Sequence, residues 1–84
     1  MNLLNLIIFL KDGTQHEIPI VKLKECGTIE NIFFIENKKE GRIEIPLDNV
    51  KGFKIYRKFV MEAAYEEDRP VLYAAVGILS KHLT

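Results

Sequence analysis

An α+β fold, with a five-stranded antiparallel β-meander or small partly open barrel followed by one or two C-terminal α-helices, is predicted by three features of this sequence. The chain opens on an almost wholly apolar run, Leu3 to Leu10 (LLNLIIFL), which meets Lys11-Asp12-Gly13-Thr14. Short β-prone runs separated by turn residues then recur as far as Tyr56. From Arg57 onward, helix formers such as Met61, Glu62, Ala63 and Ala64 replace the β-branched residues. A chain of 84 residues makes one domain, divided into a β-meander over 1–56 and a helical segment over 57–84.

Taken in order, Leu3 to Leu10 is the first strand. Only Asn5 interrupts its apolar character, so it has to be covered on both faces or paired with another copy. Asp12-Gly13 predicts a type I′ hairpin, because both central residues of that turn need positive φ. Gln15 to Lys24 is a second strand whose apolar parity switches after Pro19-Ile20. That switch is what a bulge or bend produces, and Pro19, which cannot donate to a ladder, places the strand at a sheet edge. Lys24 to Gly27 reads as a turn and Ile29 to Glu36 as a third strand. Asn37 to Gly41 is a solvated hairpin loop. Arg42 to Leu47 alternates, with Ile43, Ile45 and Leu47 inward. Asp48-Asn49 turns the chain into a fifth strand, Val50 to Tyr56, with Gly52 as a bulge site. A helix from about Arg69 to His82 has Asp68 as N-cap, Pro70 in the first turn, and Lys81 and His82 against the negative end of its dipole. Its apolar residues run nearly all round, which predicts burial. For Lys58 to Glu67, propensity favours a second helix, while the parity of Phe59, Met61, Ala63 and Tyr65 offers an extension of the fifth strand.

Composition narrows the function classes. Hydrophobic residues make up 48% of the chain and the net charge is zero, a balance that argues against a dominant attraction to nucleic acid or anionic lipid. So many apolar residues in so small a domain predict a homo-oligomer. One cysteine, Cys26, forms no intrachain disulfide and fits a reducing cytoplasm as a filler at the Gly27 turn. Neither Leu3–Leu10 nor Val71–Leu79 has the length to span a bilayer. Charge is unevenly placed: Lys51, Lys54, Arg57 and Lys58 are followed by Glu62, Glu66, Glu67 and Asp68.

No catalytic residue, metal ligand or cofactor is assigned. There is no nucleophile elbow, no phosphate-cradling glycine loop and no paired histidine; His16 reads as a half-buried strand residue and His82 as a helix-terminal charge. The candidate binding residues are Lys51, Lys54, Tyr56, Arg57 and Lys58, cations interleaved with a ring as on a nucleic-acid surface. On a strand, however, Lys54 and Tyr56 point one way and Phe53, Ile55 and Arg57 the other. The candidate interface residues are Leu4, Leu6, Ile8, Leu72 and Leu79, joined by Glu66, Glu67 and Asp68, which would meet the basic cluster of another copy.

Leu6 through Lys11-Asp12-Gly13, followed by Ile18 and a later apolar strand, resembles the opening of Sm-like small barrels, whose first strands carry a Lys-Asp-Gly turn. Those proteins continue with a glycine soon after the turn, and with an Asp and an Asn in the next hairpin, where RNA is gripped. Here the corresponding stretch reads HEIPIVKLKECGTIENIFF, which lacks the spaced glycine and offers only Asn31 as a match. The resemblance covers about a quarter of the chain. The functional expectation is a non-enzymatic, cytoplasmic, oligomeric binding or regulatory module, in the manner of a small inhibitor or ligand-sequestering accessory protein of a phage or mobile element. Its partner would be a protein or a small molecule. The alternative is a nucleic-acid-binding small β-barrel.

Overall fold

The structure, a computed structural model, describes residues 2–20, 23–38, 41–59 and 69–84. Strands β1 (Asn2–Leu10), β2 (Gln15–Pro19), β3 (Leu23–Ile29), β4 (Ile32–Asn37), β5 (Gly41–Pro46) and β6 (Val50–Phe59) are followed by helix α1 (Arg69–Leu83). A turn of 3-10 helix, Leu47–Asn49, joins β5 to β6. The strands form two three-stranded antiparallel sheets, in the orders β2-β1-β6 and β3-β4-β5. The α+β class therefore holds, as two stacked sheets rather than a closed barrel. Six strands replace five because the bend anticipated after Pro19 divides the second strand into β2 and β3, and Pro19 does lie on an edge strand.

β1 lies in the middle of its sheet, so its main chain is paired on both sides. Leu6 faces Ile18 on β2 and Ile55 on β6, and Ile8 faces His16 and Phe53. Leu6, Ile8 and Leu10 enter a single apolar cluster with Ile18, Ile20, Leu23, Phe33, Ile35, Ile45, Leu47 and Val50, completed by Leu72, Ala75 and Leu79 of α1. On the opposite face of β1, Asn5 and Ile7 are also buried. From Asn5 to Ile8 both faces of the first strand are thus covered within one chain, the first of the two arrangements expected for it.

Two bulges keep the pattern in register with this core. Between Leu23 and Glu25 the ladder to β4 slips by one residue, and Lys24 is the extra residue. Leu23 and Cys26, three apart, consequently both face inward. On β6, Leu10 pairs with Val50 and Phe9 with Gly52, which leaves Lys51 extra and turns both Val50 and Phe53 toward the core. The bulge was expected at Gly52 and falls beside it.

Three local expectations are corrected. The first turn is not type I′: positive φ falls on Gly13 (91°) but not on Asp12. Leu10 O accepts from Gly13 N at 3.1 Å and Leu10 N donates to Thr14 O at 2.9 Å. This is a three-residue loop, a turn over Lys11-Asp12 followed by a left-handed glycine. Lys24 to Gly27 is strand, not turn. The reversal comes at Glu30-Asn31, with Glu30 itself at φ 56°; no glycine or proline marks it, which is why the residues did not reveal it. Cys26 accordingly sits in β3 opposite Ile35, and its thiol donates to Val71 O at 3.5 Å. Burial, and then the charge of Glu25, push that thiol above its ordinary pKa.

Lys58 and Phe59 belong to β6, so at these positions the strand extension holds and the second helix does not; residues 60–67 lie outside the described residues, as does the proposed N-cap Asp68. α1 packs on β3 and, more lightly, on β6. It is not buried all round: Leu72, Ala75 and Leu79 face the core, while Tyr73, Ala74 and Gly77 face outward.

Replacing Gly13 by Val is expected to cost about 1–3 kcal/mol, because a β-branched residue is strained at φ 91°. Open space surrounds the added Cβ, so backbone conformation is the whole effect. Thermal unfolding of Gly13→Val beside Gly13→Asn checks it, with Asn expected to recover most of the loss.

Candidate functional site

The end of the molecule where the first turn meets the start of β6 is held by main-chain bonds. Lys11 N donates to Asn49 O at 2.9 Å, tying the turn to the 3-10 segment that leads into β6. Asp12 Oδ1 accepts from Thr14 N at 2.9 Å and from Thr14 Oγ1 at 2.6 Å. Those two hydrogen bonds hold the Asp12 carboxyl below its ordinary pKa, so it stays charged and fixes the loop's conformation at neutral pH.

Between this loop and the β6 bulge lies an open groove of about 400 Å³, lined by Phe9, Leu10, Gly13, Thr14, Lys51, Gly52 and Phe53. Phe9 stands directly across the ladder from Gly52. Because Gly52 has no side chain and no atom lies within 4 Å of where its Cβ would be, the ring of Phe9 has open space beside it. Phe9 and Phe53 are half-buried and Lys51 is exposed. The groove thus combines the Phe9 ring, glycine backbone, one hydroxyl and one cation, a mix typical of ligand clefts, while Leu10 and Phe53, whose side chains turn toward the core, close its inner side.

The remaining candidates separate as strand parity demands. Lys54 and Tyr56 share the outer face of the β2-β1-β6 sheet with Phe9. The Tyr56 hydroxyl donates to a Glu17 carboxylate oxygen across β1, and the Lys54 ammonium lies 5.8 Å from the Tyr56 ring centroid. The bond to Glu17 raises the Tyr56 pKa above the ordinary phenol value. Arg57, exposed, follows the opposite parity, and the side chain of Lys58 is not described. The five residues therefore do not form one patch. Among the candidate interface residues, Leu6, Ile8, Leu72 and Leu79 are at most 2% exposed and Leu4 packs partly against them. They belong to the chain's own core. Glu66, Glu67 and Asp68 lie outside the described residues.

Phe9, Gly13, Thr14, Gly52 and Phe53 were not singled out from sequence as site residues. An Asp-Gly turn and a strand glycine were both visible, but only the register across β1 and β6 brings them together. The outer face of the second sheet is filled by its own contacts: the Arg42 guanidinium stacks 3.9 Å from the Phe34 ring centroid, and the Phe34 ring lies over Gly27. A second open groove, lined by Thr28, Leu47, Ile78, Lys81 and His82, flanks the end of α1 and contains no ring besides His82. Among the described residues no group of three or more His, Cys, Asp or Glu side chains is placed to hold a metal, and no helix is long and apolar enough to cross a membrane.

No protein-family model matches this chain, and neither a curated protein nor a solved structure does.

Proposed function

We propose that this chain is a non-enzymatic binding module that holds a small ligand in the groove between its first turn and the β6 bulge. The observation that carries this reading is the open space beside Phe9 at Gly52, in a groove of about 400 Å³, a volume in the range of small-molecule sites. The walls support it as well. Both are short β-structures pinned by main-chain bonds, so the groove is largely formed before a ligand arrives and little ordering entropy opposes binding. Assembly is not required by this reading, since Leu6, Ile8, Leu72 and Leu79 are in the core.

A second reading, binding of nucleic acid, is favoured by the placement of Lys54 and Tyr56 on the same sheet face as Phe9. The hydrogen bond that commits Tyr56 to Glu17, an anion on edge strand β2 of the same face, ranks it second.

Native mass spectrometry of protein purified from cells tests the first reading, together with amide chemical shifts recorded before and after the ligand is stripped. The expected result is a co-purifying small molecule whose removal shifts Leu10, Gly13, Thr14 and Gly52. If no bound molecule and no compound from a fragment library perturbs those four amides, the reading is overturned.

A further inference from the structure

The groove's chemistry points to one class of ligand, and this inference rests on the binding-module reading above. We propose that the groove takes a planar aromatic ring carrying a phosphate, the unit of a nucleotide, with the ring against Phe9 over Gly52 and the phosphate at Lys51. Three observations converge on it.

The first is the floor. In a strand the residue opposite an aromatic normally contributes a side chain to the same face. On the β6 side of Phe9 that residue is Gly52, so a flat ligand can lie over its backbone beside the ring. Stacking on an aromatic side chain suits any nucleobase, because every base presents a π-face.

The second is the cation. Lys51 is the extra residue of the bulge, the position that re-aims a side chain out of the alternating pattern. Among the described residues it has no ion-pair partner. Its ammonium is a compact point charge, a common partner for phosphate.

The third is what the groove lacks. None of its lining residues is a carboxylate. Asp12, the nearest acid in sequence, directs its Oδ1 at Thr14. The main-chain N–H groups of Leu10, Lys11, Gly13 and Thr14 already donate to Thr14 O, Asn49 O, Leu10 O and Asp12 Oδ1 respectively. Anion recognition therefore falls to Lys51, and apolar recognition to the Phe9 ring.

A free nucleotide and one residue of a single strand share this chemistry, so the test uses both. Amide spectra of the whole chain are recorded with adenosine monophosphate, with inorganic phosphate alone, and with a single-stranded oligothymidylate of about ten nucleotides, each over a range of salt. The nucleotide is expected to shift Gly13, Thr14 and Gly52, and phosphate alone to bind at least about tenfold more weakly. If the source is a strand, the oligonucleotide binds more tightly than the mononucleotide and its affinity falls steeply with salt; if the source is a free nucleotide, the two bind alike with a shallow dependence.

Gly52→Val is the decisive variant. Its Cβ meets nothing within 4 Å and the backbone there is not in the left-handed region, so a β-branched residue suits the strand while filling the groove. The expected result is an unchanged or raised melting temperature together with at least about a tenfold loss of nucleotide affinity. Lys51→Gln, at an exposed position, is expected to weaken binding and flatten its salt dependence without touching the fold. Nucleotide binding that survives both variants overturns the inference. So does a ligand found at the groove that carries neither a planar ring nor an anion, an outcome that leaves the binding-module reading standing. Groove amides that respond to no compound at all overturn both.

Discussion

Phe33→Ala is expected to lower the free energy of unfolding by about 3–5 kcal/mol, the usual cost of emptying a buried aromatic site. Phe33 is fully buried near the start of β4, the central strand of the second sheet, and stands opposite Thr28 and Ile45. A domain of this length is expected to have roughly 4–13 kcal/mol of stability in total, so the variant should lose about a quarter of it or more. Denaturant titration followed by circular dichroism measures the change. The control is Phe34→Ala, one residue along and facing the other way. Phe34 is half-buried beneath Arg42 and over Gly27, and losing it should cost only about 1–2 kcal/mol. Because the side-chain period of a strand is two, a register slipped by one residue would exchange these two results. Equal or reversed costs would mean that β4 has been assigned the wrong inner face.

Leu79→Ala is expected to cost about 2–5 kcal/mol, and to do so equally at every protein concentration. Leu79 is fully buried, and with Leu72 and Ala75 it forms the stripe by which α1 closes over the core beside β3. If that stripe were instead shared with another copy, the wild-type unfolding midpoint would rise with concentration and the variant would lose the dependence. Unfolding curves collected over a hundredfold range of concentration, about a 2.7 kcal/mol span in mass action, separate the two. Coincident wild-type curves are expected. A midpoint that climbs with concentration would return Leu72 and Leu79 to an interface.

Much of the fold is legible in the residues because burial and local conformation act at short range. Alternation at Ile43, Ile45 and Leu47 marks the inner face of β5, since a half-buried strand must alternate. The change of parity after Pro19 marks the bend, because a strand cannot present both parities to one core without one. Pro70 near the start and Lys81 and His82 at the end bracket α1. By contrast, the reversal at Glu30-Asn31 has no glycine in it, and the hairpin there is imposed by the pairing of Phe33 and Ile35 with β3 and β5. The Lys24 bulge was hidden for the same reason: it is defined only against a partner strand.

The candidate site shows the division most clearly. By itself, the sequence determined an α+β chain, an edge strand at Pro19, a positive-φ glycine after Asp12, a bulge near Gly52, a C-terminal helix from Arg69, and the opposed directions of Lys54 and Arg57. These follow from side-chain volume, φ preference and the period of a strand, all properties of neighbours along the chain. Tertiary structure alone decided that β6 returns to pair with β1, that Phe9 therefore meets Gly52, that Leu6, Ile8, Leu72 and Leu79 fill one core rather than an interface, and that Lys51 stands at a groove apart from Arg57. The first and last residues of the β1-β6 ladder are 57 positions apart. Nothing local in either strand specifies that partnership, because it is chosen by the burial of the whole apolar set at once.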